Sequence, residues 1–143
     1  MATAQTTRPS SWWERLSERC YAASMPRLVS DVQHEASSTY QALLTDLDRP
    51  LESGFEREMA RQLAAGQPAA FVPAQTLMPV MMQRFGLQEA DLAAQPGYGV
   101  LRDTCNSCPV MGQCWQAMRA DAEVDECRGF CPNAEAFERR AAE

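Results

Sequence analysis

An all-α fold is predicted by three observations. Apolar residues recur every three or four positions through most of the first half, no run alternates cleanly between apolar and polar residues, and the chain contains no Ile. The expected architecture is a small helical bundle with a cysteine-rich C-terminal segment stapled by a metal or a cluster. Ser10 or Ser11 can cap a first helix whose stripe is Trp12, Leu16 and Cys20, with Trp13 adjacent. Leu28, Val32, Ala36, Tyr40, Leu43 and Leu47 then predict one amphipathic helix over residues 27–48, stopped by Pro50. Leu51, Phe55, Met59 and Leu63 mark a third, with Gly66 as its C-terminal cap. The last two read as an antiparallel pair joined at Asp48-Arg49-Pro50, with the Trp12 helix packed across them.

Pro68 and Pro73 break the pattern, so residues 67–76 read as a linker between an N-terminal helical region, 1–66, and a cysteine-rich helical domain, 77–143. In the latter, Leu77, Val80, Met81 and Phe85 predict a short helix ending at Gly86, with Pro79 tolerable in its first turn. Residues 87–94 suggest another, before the Pro96-Gly97 turn, and residues 98–103 lead into the cysteines. Residues 110–118 and 134–140 read as two further short helices, the second capped by Asn133.

Composition narrows the chemistry. At 143 residues, 45% hydrophobic and 22% charged, the chain is ordinary for a soluble globular protein of one domain or a compact domain with an appendage. All thirteen basic residues are Arg, and there is a single His. A P-loop lysine, a Schiff-base lysine and a two-histidine zinc protease site are therefore excluded. A net charge of -6 with no basic run speaks against non-specific nucleic-acid binding. Residues 1–11 lack the apolar core of a secretory signal, and no run reaches the roughly 18 apolar residues of a membrane span. These features predict a reducing cytoplasm, where clustered Cys serve as metal ligands or redox centres.

Five of the six Cys fall between Cys105 and Cys131. Cys105, Cys108 and Cys114 form C-x2-C-x5-C, and Cys127 and Cys131 follow. Two thiolates three residues apart on a tight turn can converge on one centre with backbone amides aimed at the sulfurs; a third comes from the next turn and a remote fourth closes the site. Soft thiolates in that number select zinc or an iron–sulfur cluster. A compact triplet plus one distant Cys favours a [4Fe-4S] cluster, since structural zinc usually takes two close pairs. The rival zinc set is Cys105, Cys108, Cys127 and Cys131, which strands Cys114. Without a metal, the thiols would be small buried hydrophobes or stress-formed disulfides, but packing alone is a poor reason for so dense a cluster.

The triplet is similar to the cluster-binding runs of WhiB-type regulators and of radical-SAM auxiliary domains, both of which hold [4Fe-4S]. More closely, residues 77–137 resemble a family of small proteobacterial domains with a Met-rich helix ending in Gly-Leu, then C-x2-C-x5-C, then Phe-Cys-Pro-Asn. The matching residues are Met81, Met82, Gly86, Leu87, Cys105, Cys108, Cys114, Phe130, Cys131, Pro132 and Asn133. The family's Trp-Leu pair stands three residues beyond its third Cys, where this chain has Ala117-Met118, with Trp115 directly after Cys114. The resemblance implies a cysteine-bound cofactor beside a helical scaffold, with Cys131 as fourth ligand and Cys127 as a spare; it implies no established activity.

Other residues have plainer readings. Cys20 lies on the Trp12 stripe and is expected to be a buried core thiol. His34, off the apolar face, is expected at the surface. Trp115 is expected to shield the cysteine site from water, and Met78, Met81 and Met82 to fill the core. Asp121, Glu123, Asp125 and Glu126 read as a solvated loop, with a docking patch for a basic partner as the alternative. Glu56 and Glu58 have no partner signal, and no Cys–His nucleophile pair can be drawn. The expectation is a non-enzyme: an iron–sulfur protein acting in electron transfer or redox or iron sensing through a protein partner, or alternatively a zinc-stapled interaction module. No nucleic-acid partner is expected, because no recognition-helix pattern accompanies the cysteines.

Overall fold

The computed structural model describes residues 12–66 and 70–143; the Ser10 or Ser11 cap, residues 1–11 and part of the predicted linker lie outside them. Helices follow one another along the described residues, with no strand among them: α1 (Trp12–Glu35), α2 (Ser37–Thr45), α3 (Ser53–Ala64), α4 (Pro73–Thr76), α5 (Met78–Arg84), α6 (Glu89–Ala93), α7 (Tyr98–Asn106), α8 (Met111–Arg119), α9 (Val124–Arg128) and α10 (Ala134–Ala141).

The first break falls at a different place from the one periodicity predicts. Instead of a short Trp12 helix and a long one over 27–48, α1 runs unbroken through Pro26 to Glu35, and the chain leaves helical geometry at Ala36, with φ -135° and ψ 55°. Pro26 is tolerated inside α1 despite its missing amide, and the break falls at Ala36, just before the Ser37-Ser38-Thr39 run, whose residue types are weak helix formers. The Trp12 stripe does not pack across the hairpin. Met25 and Val29 anchor α1, every residue from 12 to 24 is exposed, and Trp12 and Trp13 retain 59% and 70% of their surface.

α3 starts on an unexpected cap. The Glu52 carboxylate accepts the Gly54 and Phe55 amides, both at 2.9 Å, and the Tyr21 hydroxyl donates to it at 2.7 Å. Those donors, the Gly54 amide first, pull its pKa from 4.5 down to about 2. The contact moors the exposed half of α1 to α3. One turn on, buried Glu58 binds Arg61, and Tyr40 donates to Gln62 at 3.4 Å. Burial, with the Glu58 charge nearby, raises the Tyr40 phenol to about 12.

The tightest seam joins α3 to α8. A Cβ on Gly112 would stand 2.1 Å from the Ala60 carbonyl oxygen and 3.3 Å from the Ala64 Cβ, so only glycine lets the two backbones approach this closely. Trp115, on the same helix, is fully buried and donates its indole N–H to the Leu44 carbonyl at 2.9 Å. Arg119 stacks on that indole at 4.9 Å and donates to the carbonyls of Asp46 and Arg49. One apolar cluster therefore takes in Val29, Tyr40, Leu44, Met59 and Leu63 together with Met78, Met82, Trp115 and Phe137, from both sides of the expected linker.

That linker contains α4, which starts on Pro73. Pro79 falls in the first turn of α5, as its missing amide requires. Gly66 and Gly86 have φ of +84° and +79° at helix ends. After α5, Leu87 N–H bonds to the Met82 carbonyl and Gly86 N–H to that of Gln83, the paired bonds of a Schellman cap. Asp121, at φ 56°, ends α8 in the same way and pairs with Arg84. Two segments read as irregular are helical: residues 98–106 form α7, and the acidic run enters α9, where Asp125 pairs with Arg128. Asp121, Glu123, Asp125 and Glu126 are all exposed.

Candidate metal centre

Each cysteine of the expected quartet is delivered by a different piece of backbone. Cys105 sits in the last turn of α7, whose end is tightened by the Ser107 amide on the Asp103 carbonyl. The chain turns back immediately, with Cys108 N–H on the Cys105 carbonyl at 3.2 Å, so the C-x2-C pair straddles a helix terminus. Cys114 lies on the first turns of α8, and Cys131 on the short connection before α10.

These four line one cavity, walled by Leu77, Met78, Met81, Val110, Phe130 and Phe137 and closed by Thr104, Pro132 and Asn133. The cavity is small, about 20 Å³, room for about one water molecule. Cys127 is not part of it. It is fully buried, its Sγ 4.0 Å from the Ala122 carbonyl, and close enough for its charge to act on Cys114 and Cys131. All six thiols are free, so none is tied up in a disulfide.

Burial raises every thiol of the quartet: Cys105 to about 12, Cys131 to about 11, Cys108 and Cys114 upward as well. For Cys105 and Cys114 the second cause is the neighbouring sulfurs themselves, since several thiolates cannot share an apolar hollow without a cation. Backbone amides oppose the trend, Val110 at Cys108 and Asn133 with Ala134 at Cys131. Amides directed at sulfur stabilise the thiolate form, and hydrogen bonds to the sulfurs also tune an iron–sulfur potential.

The donor set therefore fits a soft cation by its chemistry: four sulfurs, an apolar wall, and amide donors on two of them. No group of three or more His, Cys, Asp or Glu among the described residues is arranged to hold a metal ion.

Several sequence expectations change here. Trp115 does not line the cavity; next to Cys114 on a helix, its side chain points about 100° away, into the α2–α3 side of the core. Asn133 does not cap α10 through its side chain. It is buried and donates to the Leu101 carbonyl at 2.9 Å, tying the Cys131 segment to α7. Cys20 is exposed rather than buried, because the face it shares with Trp12 turns to solvent. His34 is at the surface, its Nδ1 2.7 Å from the Ser30 carbonyl. Met78, Met81 and Met82 are buried as expected, but Met78 and Met81 also wall the cavity. Sequence reasoning missed Asn106, inside C-x2-C, whose Oδ1 accepts the Ala74 amide at 2.9 Å and fastens the turn to α4. Its signal was only an amide side chain in a tight turn.

No protein family, curated protein or solved structure matches the chain. Among the described residues no helix is long and apolar enough to cross a membrane.

Proposed function

We propose that the chain binds an iron–sulfur cluster, [4Fe-4S], through Cys105, Cys108, Cys114 and Cys131, and serves a protein partner as an electron carrier or as a sensor of redox state or iron rather than as an enzyme. The observation that carries this reading is that these four thiols share one apolar cavity while Cys127 stands outside it. The spacing argues in the same direction, and so does the likeness of the signature to cluster-binding domains. Zinc through Cys105, Cys108, Cys127 and Cys131 would draw on a thiol that does not line the cavity and would abandon Cys114, which does. A reducing compartment such as the cytoplasm suits six free thiols.

When bound, such a cluster gains and loses single electrons. The chain's own part is to hold it and shape its surroundings. Phe130, Phe137, Leu77 and the two methionines give the sulfurs an apolar wall, and the Val110, Asn133 and Ala134 amides favour the anionic form of Cys108 and Cys131. Asn133 and Asn106 fix the loops that deliver Cys131 and the C-x2-C turn. Protons leave the thiols on loading, so loading weakens as pH falls.

Protein purified without oxygen should be brown, contain iron and sulfide, and lose its visible absorption on adding dithionite. Cys114→Ser should abolish iron loading and Cys127→Ser should largely spare it. A colourless protein carrying one zinc would replace the cluster with a non-redox staple, and loading that needs Cys127 but not Cys114 would restore the rival ligand set.

A further inference from the structure

The apolar stripe of the first helix exists, but it faces away from the body of the protein. On a helix advancing about 100° per residue, Trp12, Leu16, Cys20 and Ala23 fall within one narrow sector with Trp13 at its edge. That sector is opposite the one occupied by Met25 and Val29, the residues of α1 that reach the core. Trp12, Trp13 and Leu16 are all exposed, and every residue from 12 to 24 keeps an exposed surface, Tyr21 included, which reaches α3 on the other side of the helix. The charges of this arm are sorted as well. Arg15 and Arg19 share a shallow hollow with Trp12 and Leu16, and neither forms an ion pair among the described residues. Glu18 lies on the other side, with Tyr21 and Met25 in the hollow against α3, and helical spacing puts Glu14 on that side too.

We propose that this arm lies on an anionic phospholipid surface, with Trp12, Trp13 and Leu16 entering the boundary between headgroups and acyl chains and Arg15 and Arg19 reaching the phosphates. An exposed helix with indoles on one face, arginines beside them and acids behind has the chemistry of an interfacial helix. A second copy laid antiparallel on the stripe would set Arg15 and Arg19 against their own counterparts. The net charge of -6 opposes approach to an anionic surface, but at physiological ionic strength screening over about 8 Å leaves the local arginines to decide. The stripe is short, so the attachment is peripheral and reversible. It is independent of the cysteine site.

The test uses the full chain with vesicles of phosphatidylcholine alone or mixed equally with phosphatidylglycerol, read by co-sedimentation and Trp emission. Mixed vesicles should bind the protein and shift emission to the blue as Trp12 and Trp13 leave water, Trp115 being buried already. Arg15→Gln with Arg19→Gln should weaken binding about 30-fold, from roughly fivefold per basic residue at such a surface. Trp12→Ala with Trp13→Ala should abolish both binding and the shift. These side chains lie outside the core, so circular dichroism should be unchanged in every variant. No binding to mixed vesicles, or equal binding to both kinds, would overturn the proposal. So would a dimer in sedimentation analysis that the tryptophan substitutions dissolve while vesicles leave the protein untouched; that result would give the stripe to a second copy.

Discussion

The α3–α8 seam and the cysteine end are built on opposite principles. At the seam, Gly112 brings two backbones together and Trp115 fills the space to Leu44, so apolar packing and one buried hydrogen bond suffice. At the cysteine end, α7, α9 and α10 are each nine residues or fewer, and they meet around a hollow walled partly by thiols. Short helices have little stability of their own and depend on what they surround. The seam is a filled core, whereas the cysteine end is a set of short helices around a small cavity lined by four thiols.

The comparison can be broken most forcefully at Trp115. Trp115→Ala should cost about 3–5 kcal/mol of stability, as expected for removing a large buried aromatic, and denaturant unfolding should register the loss whether or not the cysteines carry a cofactor. A loss confined to loaded protein would mean that the seam is not self-sufficient. Gly112→Ala comes next: its methyl meets backbone rather than a yielding side chain, so α3 and α8 must part, at about 1–3 kcal/mol or more by the usual cost of overpacking. The third prediction concerns the other region. If the proposed cluster is bound, stripping it should erase hydrogen-exchange protection in α7, α9 and the start of α10 and leave the amides of α3 and α8 protected, because opening would be local. Equal loss in both regions would merge them into one cooperative unit. The smallest effect is at Glu52. Its folded pKa lies below its ordinary value, so its contribution is whole above pH 4.5 and disappears as pH falls toward about 2. Gly54 and Phe55 amides should lose protection in that window, and Glu52→Gln should make them insensitive to it.

Periodicity was enough to read the helical class, because the stripes through Leu43, Met59 and Leu63 register in a pattern with a single period. It could not say which side of a stripe meets the body. Trp12, Leu16 and Cys20 obey the same spacing as core residues and yet face water, since the core turns toward Met25 and Val29 instead. Nor could spacing choose between Pro26 and Ala36 as the point of interruption. At the candidate centre, C-x2-C-x5-C gave the grouping of Cys105, Cys108 and Cys114, because turn and helix geometry act over a few residues. The fates of Cys127 and Cys131 depended on how α9 folds, and a five-residue helix in an acidic run leaves almost no trace in hydropathy. Asn133 misled for a related reason: it stands where a helix cap belongs, but a carbonyl from α7, distant in sequence, claims its side chain.

One feature of α8 reaches further than its length suggests. Cys114 and Trp115 are neighbours, one facing the sulfur-lined hollow and the other wedged beneath α2. A rigid helical turn cannot rotate one of them without carrying the other. The hydrogen bond that seats the indole on Leu44 therefore also sets the angle at which Cys114 meets the other three thiols.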